Sequence, residues 1–139
     1  MAEIRGYHHV SLSVSDLPKS TEWYRQVLGF EVDAEVEGDG FRRTRMRVPG
    51  SGLTLTLTAH DQPLGGAFDE HRAGLDHVAF DIGSIVAVEE LKGRLEQVGA
   101  EHSVVKHLSN GRAMITLRDP DNIQLEVFGD TIDPGPTTG

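Results

Sequence analysis

The chain has 139 residues, enough for one domain with its own core and too few for two ordinary independent ones. Its 37% hydrophobic and 25% charged content excludes fibrous and wholly disordered classes. A formal charge of −9 without a Lys/Arg-rich stripe argues against nucleic acid and anionic membrane surfaces as partners.

Residues 7–14 alternate, with His8, Val10, Leu12 and Val14 on one face and Tyr7, His9, Ser11 and Ser13 on the other, the pattern of a half-buried strand. Asp16 is placed to cap a helix over 17–28, with Pro18 in its first turn and Gly29 closing it. Strands follow at 30–36, 41–48 and 53–59, separated by Gly38-Asp39-Gly40 and Pro49-Gly50-Ser51-Gly52. Arg42, Arg43, Arg45 and Arg47 form the nearest approach to a basic cluster. Arg43, Arg45 and Arg47 share one strand face, read as solvated in preference to an anion site.

Residues 60–75 are polar and turn-rich and read as a connection that covers a cavity, with His60 and His71 the histidines best placed to reach it. A strand at 76–82, a helix at 86–98 with Val88, Leu91, Leu95 and Val98 inward, and strands near 100–106, 112–117 and 123–128 complete the chain. Asp119-Pro120-Asp121-Asn122 is the turn before the last strand.

The two halves superpose. His9-Val10 falls on His77-Val78 at a shift of 68, and Leu28-Gly29 on Val98-Gly99 at a shift of 70, so two residues are inserted between. At a shift of 70, Glu126 falls on Thr56. The expectation is an α+β fold of two tandem βαβββ modules, about 5–60 and 75–129, within a single domain spanning 1–130. Their strands would form a curved, largely antiparallel sheet around a central cavity. The Thr/Pro/Gly-rich tail, 131–139, is expected to be disordered.

A pseudo-twofold arrangement converges on the first and last strands of each module, hence on His9, Thr56, His77 and Glu126. Each candidate ligand lies on the polar side of its strand's alternation. With no cysteine, a metal must be held by N and O donors. Two imidazoles and a carboxylate suit one divalent ion of the Fe(II), Mn(II), Ni(II), Co(II) or Zn(II) group and leave positions open for substrate. A lone strand histidine is more often structural than ligating. Three such residues at repeat-equivalent positions are not lone, and a carboxylate inside a cavity is costly unless paired or ligating.

The runs His8-His9-Val10-Ser11-Leu12-Ser13-Val14-Ser15-Asp16, Trp23-Tyr24 with Leu28-Gly29-Phe30, Leu75-Asp76-His77-Val78-Ala79-Phe80 and Asp119-Pro120-Asp121-Asn122-Ile123-Gln124-Leu125-Glu126 resemble the vicinal oxygen chelate superfamily over about residues 5–129. That superfamily holds glyoxalase I, methylmalonyl-CoA epimerase, extradiol dioxygenases, fosfomycin-resistance thiol transferases and metal-free bleomycin-binding proteins. The resemblance implies a metal-dependent enzyme, a small substrate with adjacent oxygens, and a homodimer. In a paired dimer His9 would come from a different subunit than His77 and Glu126.

Glyoxalase I and the epimerase carry Glu or Gln where this chain has Thr56, so a ligand and a base are missing. The transferases and dioxygenases tend to have Tyr where Thr116 stands, and no Arg follows Glu126 to complete a phosphonate site. Lys106 and Ser11 resemble anion-holding positions of the transferases. The reading favours Lewis-acid lyase or transferase chemistry over Fe(II) dioxygenase chemistry, with Ser11, Thr56, Lys106 and Thr116 around the metal. The competing class is a metal-free binder of a bleomycin-type drug or metabolite. The absence of a signal-like N-terminus and of about 18 consecutive apolar residues predicts a soluble cytoplasmic protein.

Overall fold

Residues 1–130 are described in the computed structural model, and the expectation of disorder for 131–139 lies outside the described residues. The chain divides into two compact units, Met1–Gly66 and Ala67–Gly139.

In the first unit, β1 (Val10–Ser13), α1 (Leu17–Leu28), β2 (Glu31–Gly38), β3 (Phe41–Arg47) and β4 (Thr54–His60) build a sheet of order β1-β4-β3-β2. The β1–β4 pair is parallel and the others antiparallel. Asp16 caps α1 by accepting from the Lys19 amide at 3.1 Å, and Gly29 ends it at φ 75°, a left-handed turn that favours glycine. Tyr24 and Val27 of the helix are buried, as are Met46, Leu55 and Leu57, alternate residues of the β3 and β4 strands on which α1 packs, and Leu12 of β1. The edge strand β2 is largely exposed and carries Glu31, Asp33, Glu35 and Glu37, charges that discourage edge-to-edge pairing.

The second unit repeats the plan with β5 (Val78–Ser84), α2 (Ile85–Val98), β6 (Lys106–His107), β7 (Ala113–Arg118) and β8 (Gln124–Asp130), in sheet order β5-β8-β7-β6. Ser84 caps α2, Gly99 closes it at φ 70°, and Val88, Leu91 and Leu95 bury against Ile115, Leu117, Leu125 and Val127. Asp119 shapes the turn before β8, its Oδ1 accepting from the Asp121 and Ile123 amides. The later part of the connection belongs to this unit: the Phe68 amide donates to the Asp121 carbonyl at 2.9 Å, and Asn122 Nδ2 donates to the Phe68 carbonyl at 3.1 Å.

The ladders carry the same alignment as the sequence repeat. Ser11 pairs with Thr56 and Ala79 with Glu126. The N-caps Asp16 and Ser84 stand 68 apart and the closing glycines 70 apart, so the two inserted residues lie in the helix, 12 residues long in α1 and 14 in α2.

Three details differ from expectation. The first strand of each unit is shorter at its start, because its partner begins at Thr54 or Gln124, directly after a tight turn; His9 and His77 therefore each sit one residue ahead of the ladder. The strand expected near 100–106 contracts to Lys106–His107, plus an isolated bridge between His102 and Leu117. There Ser103 bonds locally, its hydroxyl donating to the Val104 carbonyl and accepting from the Thr116 amide, in competition with a regular ladder. Val98, expected inward, is 45% exposed in the last turn of α2. No helix of the described residues is long and apolar enough to cross a membrane.

Gly129 lies where β8 meets the start of α2: a Cβ there would overlap the Ser84 carbonyl and come within 2.9 Å of the Val88 methyl. Gly129→Ala should lower stability by about 1–3 kcal/mol or more, read as a drop in thermal midpoint, because backbone must move to admit the methyl.

Candidate metal centre

His77 and Glu126 meet on the open face of the second sheet, the face turned away from α2. Alternation puts His77 and Ala79 on that face, and the Ala79–Glu126 register brings the carboxylate beside the imidazole. His77 Nε2 lies 3.3 Å from Glu126 Oε2, and His77 Nδ1 lies 2.7 Å from Asp76 Oδ1. A carboxylate can only accept, so Nδ1–H donates to Asp76 in the shorter contact, while Nε2 faces the Glu126 carboxylate. The Asp76 contact raises the His77 pKa above its ordinary value, partial burial opposes this, and the Glu126 charge adds to the rise. An imidazole between two carboxylates is an environment that favours a cation. Donor atoms bound to one metal at about 2.0–2.2 Å stand roughly 3.0–3.4 Å apart, so the Nε2–Oε2 separation fits a shared ion.

Asp76 is itself held. Gln124 Nε2 donates to Asp76 Oδ1 at 3.3 Å, Arg118 Nη2 donates to Gln124 Oε1 at 3.0 Å, and Arg118 grips both oxygens of Glu70 at 2.8 and 3.0 Å. The bidentate guanidinium pulls the Glu70 pKa from 4.5 down to about 2. A relay of Glu70, Arg118, Gln124 and Asp76 thus holds in place the carboxylate that His77 Nδ1 meets, and with it the angle of the ring. Sequence reasoning passed over these four residues. Asp76, adjacent to His77, and Gln124, two before Glu126 on one face, carried a visible signal; Glu70, in the turn-rich connection, carried none.

The remaining candidates divide between the units. Thr116 pairs directly with Glu126 across β7–β8 and is half-buried, while Lys106 is exposed opposite Met114. In the first unit, His9 is exposed with Nδ1 2.9 Å from His8 Nδ1. Ser11 Oγ lies 2.8 Å from Thr58 Oγ1. Thr56, 4% exposed, turns its hydroxyl to the Val10 carbonyl at 3.4 Å. His60 is exposed, 3.4 Å from Ser13 Oγ. A second group of ligand-type atoms, from Asp69, Glu70 and His71, lies within 4.8 Å. Its donors are committed, Glu70 to Arg118 and Asp69 to the amide and ring of His71, which marks it as a turn clasp.

A family model described as "Glyoxalase/Bleomycin resistance protein/Dioxygenase superfamily" matches residues 6–127. An uncharacterized protein of Bacillus subtilis (strain 168), YwkD, is 30% identical over 129 residues, covering 90% of this chain and 97% of its own. A glyoxylase/bleomycin resistance protein/dioxygenase domain from Frankia sp. EAN1pec superposes with a TM-score of 0.85 at 34% identity, covering 92% of this chain and 93% of its own. The fosfomycin resistance protein FosX of Listeria monocytogenes, in its complex with Mn(II) and sulfate, has a TM-score of 0.68 at 22% identity, covering 94% and 96%; at that identity the likeness is one of fold.

Because the folded Glu70 pKa is depressed, its contribution is full above pH 4.5 and is lost as pH falls toward about 2. Glu70→Gln should lower the thermal midpoint at pH 6, and the gap from wild type should close on acidification to about pH 2; a gap independent of pH would mean that the Glu70–Arg118 pair is not its source.

Proposed function

Because the chain belongs to the Glyoxalase/Bleomycin resistance protein/Dioxygenase superfamily, we propose that it is a metal-dependent vicinal oxygen chelate enzyme acting on a small substrate with two neighbouring oxygens. The ligands assigned are His77 and Glu126 of the second unit and His9 of the first, around one divalent ion. The observation that carries this reading is the His77 Nε2–Glu126 Oε2 pair at 3.3 Å, with Nδ1 already taken by Asp76. Mn(II) in FosX, a protein of the same fold, is consistent with it.

Neutral imidazoles with one carboxylate suit Fe(II), Mn(II), Ni(II), Co(II) or Zn(II). Bound there, the ion would supply Lewis-acid stabilisation of negative charge on the substrate's adjacent oxygens, or activation of O₂ in the case of Fe(II). The chain's own residues narrow the reaction. Thr56 holds no carboxylate and spends its hydroxyl on the Val10 carbonyl, so no protein base is offered there for abstracting a carbon-bound proton. That favours lyase- or transferase-type addition to an oxygen-chelated substrate over glyoxalase I chemistry. Ser11 and Thr116 are assigned to orienting the substrate, and Lys106 to receiving an anionic portion of it.

The second reading, a metal-free binder, draws on the acidic character of the chain, which would attract a cationic drug or metabolite. Metal content decides between the two. Protein purified without chelator and reconstituted should bind close to one ion per site, and Glu126→Ala and His9→Ala should each abolish stoichiometric binding. Asp76→Ala should weaken metal affinity about 10- to 100-fold by releasing His77. No stoichiometric binding of any of the five ions would sink the enzyme reading and leave the binder.

A further inference from the structure

The chain carries ten arginines and 22 acidic residues, and among the described residues arginine–carboxylate pairs join Arg25 to Glu22, Arg45 and Arg47 to Asp33, Arg112 to Asp130, and Arg118 to Glu70. Arg43 is different. It is half-buried, its Nε donates to Thr58 Oγ1 at 2.8 Å, and its guanidinium carbon lies 4.4 Å from the centre of the Phe41 ring. Among the described residues no carboxylate pairs with it. Asp33, which the bulge in β2 turns toward β3, is taken by Arg45 and Arg47. Neutral partners therefore hold Arg43, and they hold it by one edge and one face. The two terminal Nη groups remain, in the parallel geometry that matches two oxygens of a carboxylate or phosphate-type group.

The surroundings complete an anion cradle. Thr58, 2% exposed, links Arg43 to Ser11, whose Oγ lies 2.8 Å from Thr58 Oγ1. The cross-strand row Ser13–Thr58–Arg43 lies next to the row Ser11–Thr56–Arg45, so these side chains share the open face of the first sheet. His9 precedes Ser11 by two residues on that same side of the β1 alternation. The fixed hydroxyl and fixed guanidinium cost little further ordering on binding. Most of the basic stripe is the solvated, internally paired surface expected of it, and Arg43 is its exception.

We propose that Arg43, clamped by Thr58 and Phe41 and joined by the Ser11 hydroxyl, is a binding site for an anionic oxyacid group. The substrate class follows: a small molecule that bears a carboxylate or a phosphate-type group as well as the adjacent oxygens. The link to the substrate rests on the metal-enzyme reading above, whereas the anion site itself does not.

The test uses the whole chain stripped of metal by chelator, at constant ionic strength, titrated separately with inorganic phosphate and with acetate. The Arg43 Nε–H resonance and calorimetry report binding. Saturable binding of at least one anion that shifts the Arg43 resonance is expected, and the stronger of the two identifies the source chemistry. Arg43→Gln should weaken that binding at least tenfold, Arg43→Lys should retain part of it by keeping charge without the fork, and Arg45→Gln, whose guanidinium is paired, should leave it unchanged. Should Arg43→Gln fail to fold, the wild-type resonance and the Lys variant still decide. No saturable binding of either anion, or equal loss in Arg45→Gln, overturns the proposal. Arg43→Gln should keep metal affinity within twofold; wild-type protein that binds the metal but neither anion sinks this proposal alone, and wild-type protein that binds an anion but no metal sinks the metal reading alone.

Discussion

Parallel pairing of the first and last strands of each unit is the constraint from which the rest follows. Once Val10–Ser13 lies along Thr54–His60, and Val78–Ser84 along Gln124–Asp130, alternation sorts every side chain to the helix side or the open side. Leu12, Leu55 and Leu57, and likewise Leu125 and Val127, go beneath a helix and supply the hydrophobic stabilisation. The residues between them are left free of core duty. His77 and Glu126 can occupy a face that would otherwise be hydrophobic because the opposite face already carries the burial.

The repeat then permits division of labour. Equivalent positions hold Glu126 in one unit and Thr56 in the other, and the neighbouring strands present Met114 and Thr116 where the first unit presents Arg43 and Arg45. The open face of the second unit gathers carboxylates around one imidazole and is suited to a cation. The open face of the first gathers a guanidinium and hydroxyls and is suited to an anion.

Much of this was legible in the residues. Helix 17–28 is obtained to the residue from Asp16, Pro18 and Gly29, because capping and left-handed closure are local and depend on few atoms. The register of Glu126 follows from counting the repeat. The relay behind His77 was not legible: Glu70 lies 48 residues from Arg118, and nothing in a polar, turn-rich segment says which distant guanidinium will claim its carboxylate. The contraction of the strand near 100–106 was hidden for a related reason, since whether Ser103 bonds its own neighbourhood or a ladder depends on where β7 lies.

The sequence by itself determined the two-module plan, the helix ends, the apolar faces and the family, since periodicity, caps and repeats are properties of neighbours along the chain. Tertiary structure decided which carboxylate each nitrogen of His77 meets, that Thr56 spends its hydroxyl on a backbone carbonyl, and that, among the described residues, Arg43 is held without a carboxylate while Arg45 and Arg47 on the same face share Asp33. Those outcomes depend on partners 15 to 48 positions away or on the turn of a single torsion, and hydrogen-bond geometry resolves them only when the strands are in register.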